Sequence, residues 1–403
     1  MSNVATQHRP VGEIKSVNRP KTRVAIFLSN LEGGGAERIT INLLKGFSPD
    51  LFTFDLVLIS ATGPFLSQVP DHVNIIDLKQ SGVTGAILPL TRYLRQKRPD
   101  ILMSHLSHVN VGALVARRLA LSRTKVMLVE HNDLSSKQPG QATRKFRLSR
   151  NPQRQFLPKF MEYFYRQADA VIGVSQGVSR YVGRRFRVAE DRLHTIYNPI
   201  VDDELIGRSL ETPDHPWLHD LVAHTRPDPP ILLAVGRLTP QKDFPTLLRA
   251  FDVVHRARPC CLIILGEGAQ RAELESLVQE LDLTEDVSLP GFTANPYAAM
   301  SRASLYVLSS RWEGLPTVLV EAMACGCPVV ATNCPSGPDE ILEGGHYGPL
   351  VPVAKPQALA DAILRMLAEP TDSDLLRRRA ADFTYERAIN AYTNLMLSLA
   401  GKG

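Results

Sequence analysis

Residues Ser309–Pro328 read SSRWEGLPTVLVEAMACGCP, and an apolar run, LYVLSS at 305–310, leads directly into them. The run has the length and composition of a buried strand, and the segment after Pro316 has the pattern of a helix running to about Cys325. Pro316 suits the first helical turn, where no amide hydrogen is needed, and Gly326 suits the C-terminal cap. The amides of Gly314, Leu315 and Thr317 would then gather at a helix N-terminus, a favourable seat for a phosphate. Two carboxylates flank that seat, Glu313 in the turn and Glu321 inside the helix. A carboxylate is a poor phosphate ligand. Glu313 is therefore expected to hold hydroxyls of a bound sugar, and Glu321 to accept hydrogen bonds from two ribose hydroxyls.

Working outward, the same unit recurs. VAIFLS, FDLVLIS, VNIIDL, DILMSH, KVMLVEH, AVIGVS and HTIYN precede a polar, proline-rich stretch near 199–230. ILLAVGR, CLIILG, VSLPG, LYVLSS, PVVAT and PLVPV follow it. Helical patterns separate many of these runs, the signature of parallel, doubly wound sheets. The fold expected is α/β, with two Rossmann-like domains at 21–200 and 201–385 facing each other across a cleft. Residues 1–20 are expected to be a disordered arm. The last segment, 386–403, is expected to form a helix that returns to the first domain.

The strand ends carry the remaining candidates. Arg237 closes ILLAVGR and Lys242 precedes the next helix, so both lie at the carboxyl edge of the second sheet, where a diphosphate would sit. Gly266 and Gly268 follow CLIIL and allow close backbone approach to a base or ribose. Phe292, after VSLPG, is expected to line the base pocket. Gly33-Gly34-Gly35 joins the first strand to the first helix, and Gly34 and Gly35 would admit phosphate or sugar. The second strand ends in FDLVLISATG, without the acidic residue that a nicotinamide ribose requires. An oxidoreductase is thus disfavoured. The five cysteines, Cys260, Cys261, Cys325, Cys327 and Cys334, make no paired Cys-x2-Cys metal pattern and read as packing residues.

Glu313, seven residues and then Glu321, ahead of ACGCPVVAT, resembles the signature of retaining GT-B glycosyltransferases of family 4. GGGAER at 33–38, VGRLTPQKDFPTLLRAF at 235–251, LIILGEGAQRAEL at 262–274 and GFTANPYAAM at 291–300 extend the resemblance from about residue 22 to 385. TNCPSGPDEIL at 332–342 is similar to the branch that builds bacterial surface polysaccharides and lipid-linked oligosaccharides, whereas Asn198-Pro199 departs from the Asn-Gly of many relatives. The resemblance implies a hexosyl- or N-acetylhexosaminyl-transferase using a nucleotide-sugar donor, expected to be a UDP-sugar held mainly by the second domain. It implies no metal and no other cofactor, so Arg237 and Lys242 would neutralise the leaving diphosphate. It also implies that His131, after KVMLVE, touches the transferred sugar. A general-base role for His131 is chemically open. His105 and His108, in MSHLSHVN, are candidates for the acceptor.

Charge is divided unevenly. Residues 1–200 hold 29 Lys and Arg against 14 Asp and Glu, a balance of +15, which leaves −10 in the remainder of a chain of net charge +5. Lys137, Arg144, Lys145, Arg147, Arg150, Arg154 and Lys159 lie in 134–161 without an acid, ahead of an apolar face built on Phe156, Phe160 and Phe164. This combination points to an anionic membrane surface and a lipid-linked or saccharide acceptor, the alternative being a solvated loop followed by a core helix. The expected location is the cytoplasm, peripheral on the inner face of the membrane, with no transmembrane segment. A GT-B epimerase or phosphorylase is the competing enzyme reading. A basic nucleic-acid-binding protein is the competing non-enzymatic one, though no nucleic-acid motif is recognisable and none is expected as a partner.

Overall fold

The computed structural model describes residues 20–131, 159, 161–219, 221 and 228–402. The first sheet contains β1 (Thr22–Leu28), β2 (Phe52–Leu58), β3 (Val73–Asp77), β4 (Ile101–His105), β5 (Lys125–Glu130), β6 (Ala170–Gly173) and β7 (Leu193–Thr195). Their spatial order is β3-β2-β1-β4-β5-β6-β7. The second sheet contains β8 (Ile231–Val235), β9 (Cys261–Leu265), β10 (Val287–Gly291), β11 (Leu305–Leu308), β12 (Val329–Thr332) and β13 (Leu350–Val351), in the order β10-β9-β8-β11-β12-β13. Every pairing is parallel.

Parallel sheets are covered on both faces, so their strands read as continuous apolar runs. The thirteen runs found in the sequence correspond to these strands for that reason. In each sheet the order reverses beside the first strand, β1 or β8. Crevices for ligands form outside the carboxyl ends of strands at such reversals. The Gly33–Gly35 loop leaves β1, and the loop with Arg237 and Lys242 leaves β8.

The helix after β11 spans Thr317–Ala324, with Pro316 as its N-cap residue. Pro316 therefore stands one position before the first turn expected of it. Cys325 is the C-cap, and Gly326 at φ +72° takes the left-handed turn that ends the helix. Cys325 and Cys327 are buried, and all five cysteines are free. Most of the basic segment, residues 132–158 and 160, lies outside the described residues, as do residues 1–19. Among the described residues no helix is long and apolar enough to cross a membrane.

The chain crosses between the sheets twice, side by side. Val201 bridges Thr384, the amides of Ile200 and Val201 donate to the Phe383 carbonyl, and the Tyr385 amide donates to Val201. The final helix, Tyr385–Leu399, then packs on the first domain. A Cβ on Gly46 would lie 2.5 Å from Ile389, so any larger residue there would have to displace the side chains of Ile389 and Tyr385. Tyr392 sits edge-on to Phe47 with centroids 6.4 Å apart, and Phe47 stacks on Phe54. Tyr392 is buried, and its hydroxyl has no hydrogen-bond partner among the described residues.

This contact gives a prediction. Tyr392→Ala should lose about 3–5 kcal/mol of stability, the usual cost of deleting a buried ring. Tyr392→Phe, which removes only an unpartnered hydroxyl, should be neutral or gain about 1 kcal/mol. Urea unfolding of the two variants checks the pair, and a destabilised Tyr392→Phe would show that the hydroxyl is satisfied.

Candidate active site

The loop after β8 and the loop after β11 are fastened to each other. Ser309 Oγ donates to the Lys242 carbonyl at 2.7 Å, the Arg311 amide to Gln241 O at 2.8 Å, and Gln241 Nε2 to Trp312 O at 3.0 Å. Arg311 forms an ion pair with Asp243, whose carboxylate is almost wholly buried. Asp243 holds a left-handed φ of 51° and also accepts a hydrogen bond from Thr246.

Within this frame Lys242 Nζ meets Glu313 Oε1 at 2.7 Å, with the two side chains only 16% and 8% exposed. Ser310 Oγ donates to the same carboxylate at 2.7 Å, and Gln241 Nε2 at 3.3 Å. A buried carboxylate needs such donors, since an unpaired charge away from water is costly. Arg237 is exposed at the same edge and has no ion-pair partner among the described residues. One cation is thus neutralised within the site and the other is open to an incoming anion.

Glu321 lies on the next helix, partly buried. Burial raises its pKa from 4.5 to about 7, against lowering by a Thr317 hydrogen bond and by the charges of Lys242 and Arg38. Arg38 belongs to the first domain, in the helix Gly35–Gly46 that begins just after Gly34, its N-cap. Its charge also acts on Tyr297 of the second domain. The structure thus brings the GGGAER loop and the Glu313–Glu321 segment to one crevice. Gly314 and Leu315 are buried beneath the turn.

Gly266 and Gly268 have a structural explanation. A Cβ on Gly266 would lie 2.0 Å from Gly236 O, and one on Gly268 would lie 2.4 Å from Leu238 O. Each glycine thus lets the backbone of the neighbouring loop approach closely. Phe292 is 79% exposed at the end of β10 and borders a pocket of about 330 Å³. Leu265, Gly291, Thr293, His215 and Trp217 complete much of its wall.

On the first domain, His131 follows β5 and is partly exposed, whereas His105 ends β4 fully buried. His105 has no exposed surface in this structure. Its Nδ1 lies 2.9 Å from His131 Nε2, and the rings stack with centroids 5.1 Å apart. Burial depresses both histidines, His131 to about 4 and His105 well below its ordinary range. His108 is exposed on the first turn of the helix Ser107–Ala120, away from that pair's burial. Buried Glu130 accepts from Ser107 Oγ and Asn110 Nδ2, each at 2.8 Å, and from the Tyr165 hydroxyl. Asp243, Arg311, Gln241, Ser310 and Arg38 were not singled out from sequence. Asp243 and Arg311 are 68 residues apart, and only folding pairs them.

Two parallel, doubly wound α/β domains in tandem are the architecture of the GT-B glycosyltransferases. Two family models match in tandem, "Glycosyltransferase Family 4" over residues 33–204 and "Glycosyl transferases group 1" over residues 222–387. The chain belongs to the GT-B glycosyltransferases of the family 4 type. It is similar to a Campylobacter jejuni N-acetylgalactosamine-N,N'-diacetylbacillosaminyl-diphospho-undecaprenol 4-alpha-N-acetylgalactosaminyltransferase, at 28% identity over 367 residues, 88% of this chain and 92% of the relative. It is also similar to the Erwinia amylovora amylovoran biosynthesis glycosyltransferase AmsD, at 24% identity over 78% and 81% of the two chains. Anabaena Alr3699/HepE, solved with UDP and glucose, shares the fold at a TM-score of 0.70 and 20% identity, over 94% of this chain and all of that one.

The raised pKa of Glu321 has a testable sign. Between about pH 4.5 and 7 the folded protein keeps a proton that the unfolded chain releases, so this group's contribution falls as pH rises through that window. Comparing urea unfolding at pH 5 and pH 8, Glu321→Gln should remove about 2 kcal/mol of that decline relative to the native protein. An unchanged difference would mean that Glu321 titrates as an ordinary carboxylate.

Proposed function

We propose that this protein is a retaining glycosyltransferase that moves a hexosyl or N-acetylhexosaminyl group from a UDP-sugar to a lipid-linked or polysaccharide acceptor. The observation that carries the reading is the locked pair of loops at the second sheet's carboxyl edge, which pairs Lys242 with Glu313 and leaves Arg237 exposed at the end of the neighbouring strand. In this reading the second domain holds the donor and the first holds the acceptor. Arg237 and Lys242 meet the diphosphate, Glu313 and His131 the transferred sugar, and Glu321 the ribose. Gly34 and Gly35 close over the phosphate or sugar, and Gly314, Leu315, Gly266, Gly268 and Phe292 shape the donor pocket. The UDP bound to Alr3699/HepE and the undecaprenol-linked substrate named for the Campylobacter relative support the donor and acceptor classes.

Retention follows from same-face attack. The acceptor oxygen bonds to the anomeric carbon as the bond to the diphosphate oxygen breaks, and the acceptor proton passes to the departing phosphate. Glu313 is poorly suited to be a covalent nucleophile because Lys242, Ser310 and Gln241 already occupy its oxygens. Such a carboxylate holds hydroxyls. Negative charge grows on the leaving group, so the two cations are worth most in the transition state. The reaction is proposed to need no metal.

Transfer from a panel of nucleotide sugars tests this. Arg237→Ala should lower kcat by about 10²–10³, with a smaller change in KM for the donor. Glu313→Gln should cost activity without yielding a covalent sugar adduct, and turnover should survive excess chelator. Wild-type turnover by an Arg237→Ala/Lys242→Ala double variant would overturn the site, and loss under chelator restored by Mg²⁺ would overturn the metal-free chemistry.

The basic segment 134–161 is proposed to dock on an anionic membrane at the inner, cytoplasmic face, each basic residue contributing about 1 kcal/mol. The protein should sediment with anionic vesicles, not neutral ones, and less as salt rises. Changing Arg144, Lys145, Arg147 and Arg150 to Glu should release it while sparing donor hydrolysis. Equal sedimentation of that variant would overturn the assignment.

A further inference from the structure

We propose that His105 is a positioning residue that fixes His131 in the tautomer with its proton on Nδ1, so that His131 presents a hydrogen-bond donor rather than a base. The contact of His131 with a sugar rests on the function proposed above; the tautomer does not.

Geometry sets up the pair. β4 and β5 are neighbours, with His105 in register with Val129. His131 lies two residues beyond Val129 and shares its side of the sheet. The 2.9 Å between His105 Nδ1 and His131 Nε2 admits one proton, and two neutral arrangements satisfy it. If His131 Nε2 carried the proton, His105 would have to carry its own on Nε2. That atom is buried and has no partner among the described residues. The arrangement would bury an N–H with nothing to accept it. If His105 Nδ1 carries the proton, the orphan at Nε2 is only an unused lone pair. Buried donors without acceptors are the rarer case, because acceptors tolerate under-use better. The second arrangement therefore prevails. His131 Nε2 accepts, and its remaining proton must be on Nδ1, which makes no hydrogen bond within the described residues.

The same contact disfavours a charged His131, since an imidazolium would set two N–H groups against each other unless His105 switched its proton to the unpartnered Nε2. Burial disfavours charge on both rings. Glu130, the adjacent carboxylate, faces the other side of β5 and is engaged by Ser107, Asn110 and Tyr165. His131 then takes no proton from the acceptor, and that role falls to the departing phosphate.

The test uses the full enzyme labelled with ¹⁵N-histidine, its His131 signals assigned by their loss in His131→Asn. Long-range ¹H–¹⁵N correlations should show Nδ1–H at His131, without titration between about pH 5.5 and 8. His105→Leu, verified as folded by thermal melting, should shift His131 toward the Nε2–H form and lower kcat/KM about tenfold, the worth of one hydrogen bond. His105→Asn, whose amide restores a donor at the Nδ1 position, should recover most of that loss and the native tautomer. An Nε2–H signal at His131 in the native enzyme, or an unchanged tautomer in His105→Leu, overturns the proposal. If the tautomer is as stated but His131→Ala transfers sugar at the native rate, the positioning stands and the sugar contact falls.

Discussion

The ion pair between Lys242 and Glu313 is the constraint around which the second domain's edge is organised. A carboxylate 7% exposed is tolerable only with donors on its oxygens, and three side chains from two loops supply them. Those loops leave β8 and β11, adjacent strands of one sheet. Breaking such a pair leaves an uncompensated charge, so the two loops are held at a fixed spacing even without substrate. The outer pair, Asp243 with Arg311, repeats the device one step further from the crevice.

The parallel sheets were legible because strands buried on both faces cannot hide their apolar character. The positions of Arg237, Lys242, Glu313 and Glu321 were legible as well, since a strand end in a doubly wound sheet names its own edge. Pairing over distance was not. Nothing in QKDF at 241–244 announces that its aspartate will meet an arginine in SSRWEG. Burial of a polar side chain at a strand end was equally hidden: His105 and His131 look alike in sequence, yet one lies under the other. Gly266 and Gly268 were read toward a ligand, and the close packing of the neighbouring loop's backbone against them was not legible.

The two domains meet different electrostatic demands. The second places charges at a crevice and compensates Glu313 and Asp243 with Lys242 and Arg311, leaving Arg237 open. The first buries Glu130 with neutral partners only, and burial raises its pKa. Tyr165, also pushed upward, remains a hydroxyl donor to it. This uncharged mesh of Ser104, Ser107, Asn110 and Tyr165 braces the ends of β4 and β5, the two strands that carry the histidines.

The paired crossing at Val201 and Thr384 has a mechanical consequence. Two chain segments hydrogen-bonded side by side resist sliding and stretching far more than they resist twisting. A turn of one domain on the other about this bridge would keep its hydrogen bonds, whereas a slide would break them, so the bridge would serve such a turn as a short axle. The helix that follows Thr384 is bolted to the first domain at Gly46 and Phe47, so the axle has a bearing on that side. Arg38 and Glu321, on opposite jaws, would part along an arc and return along the same one.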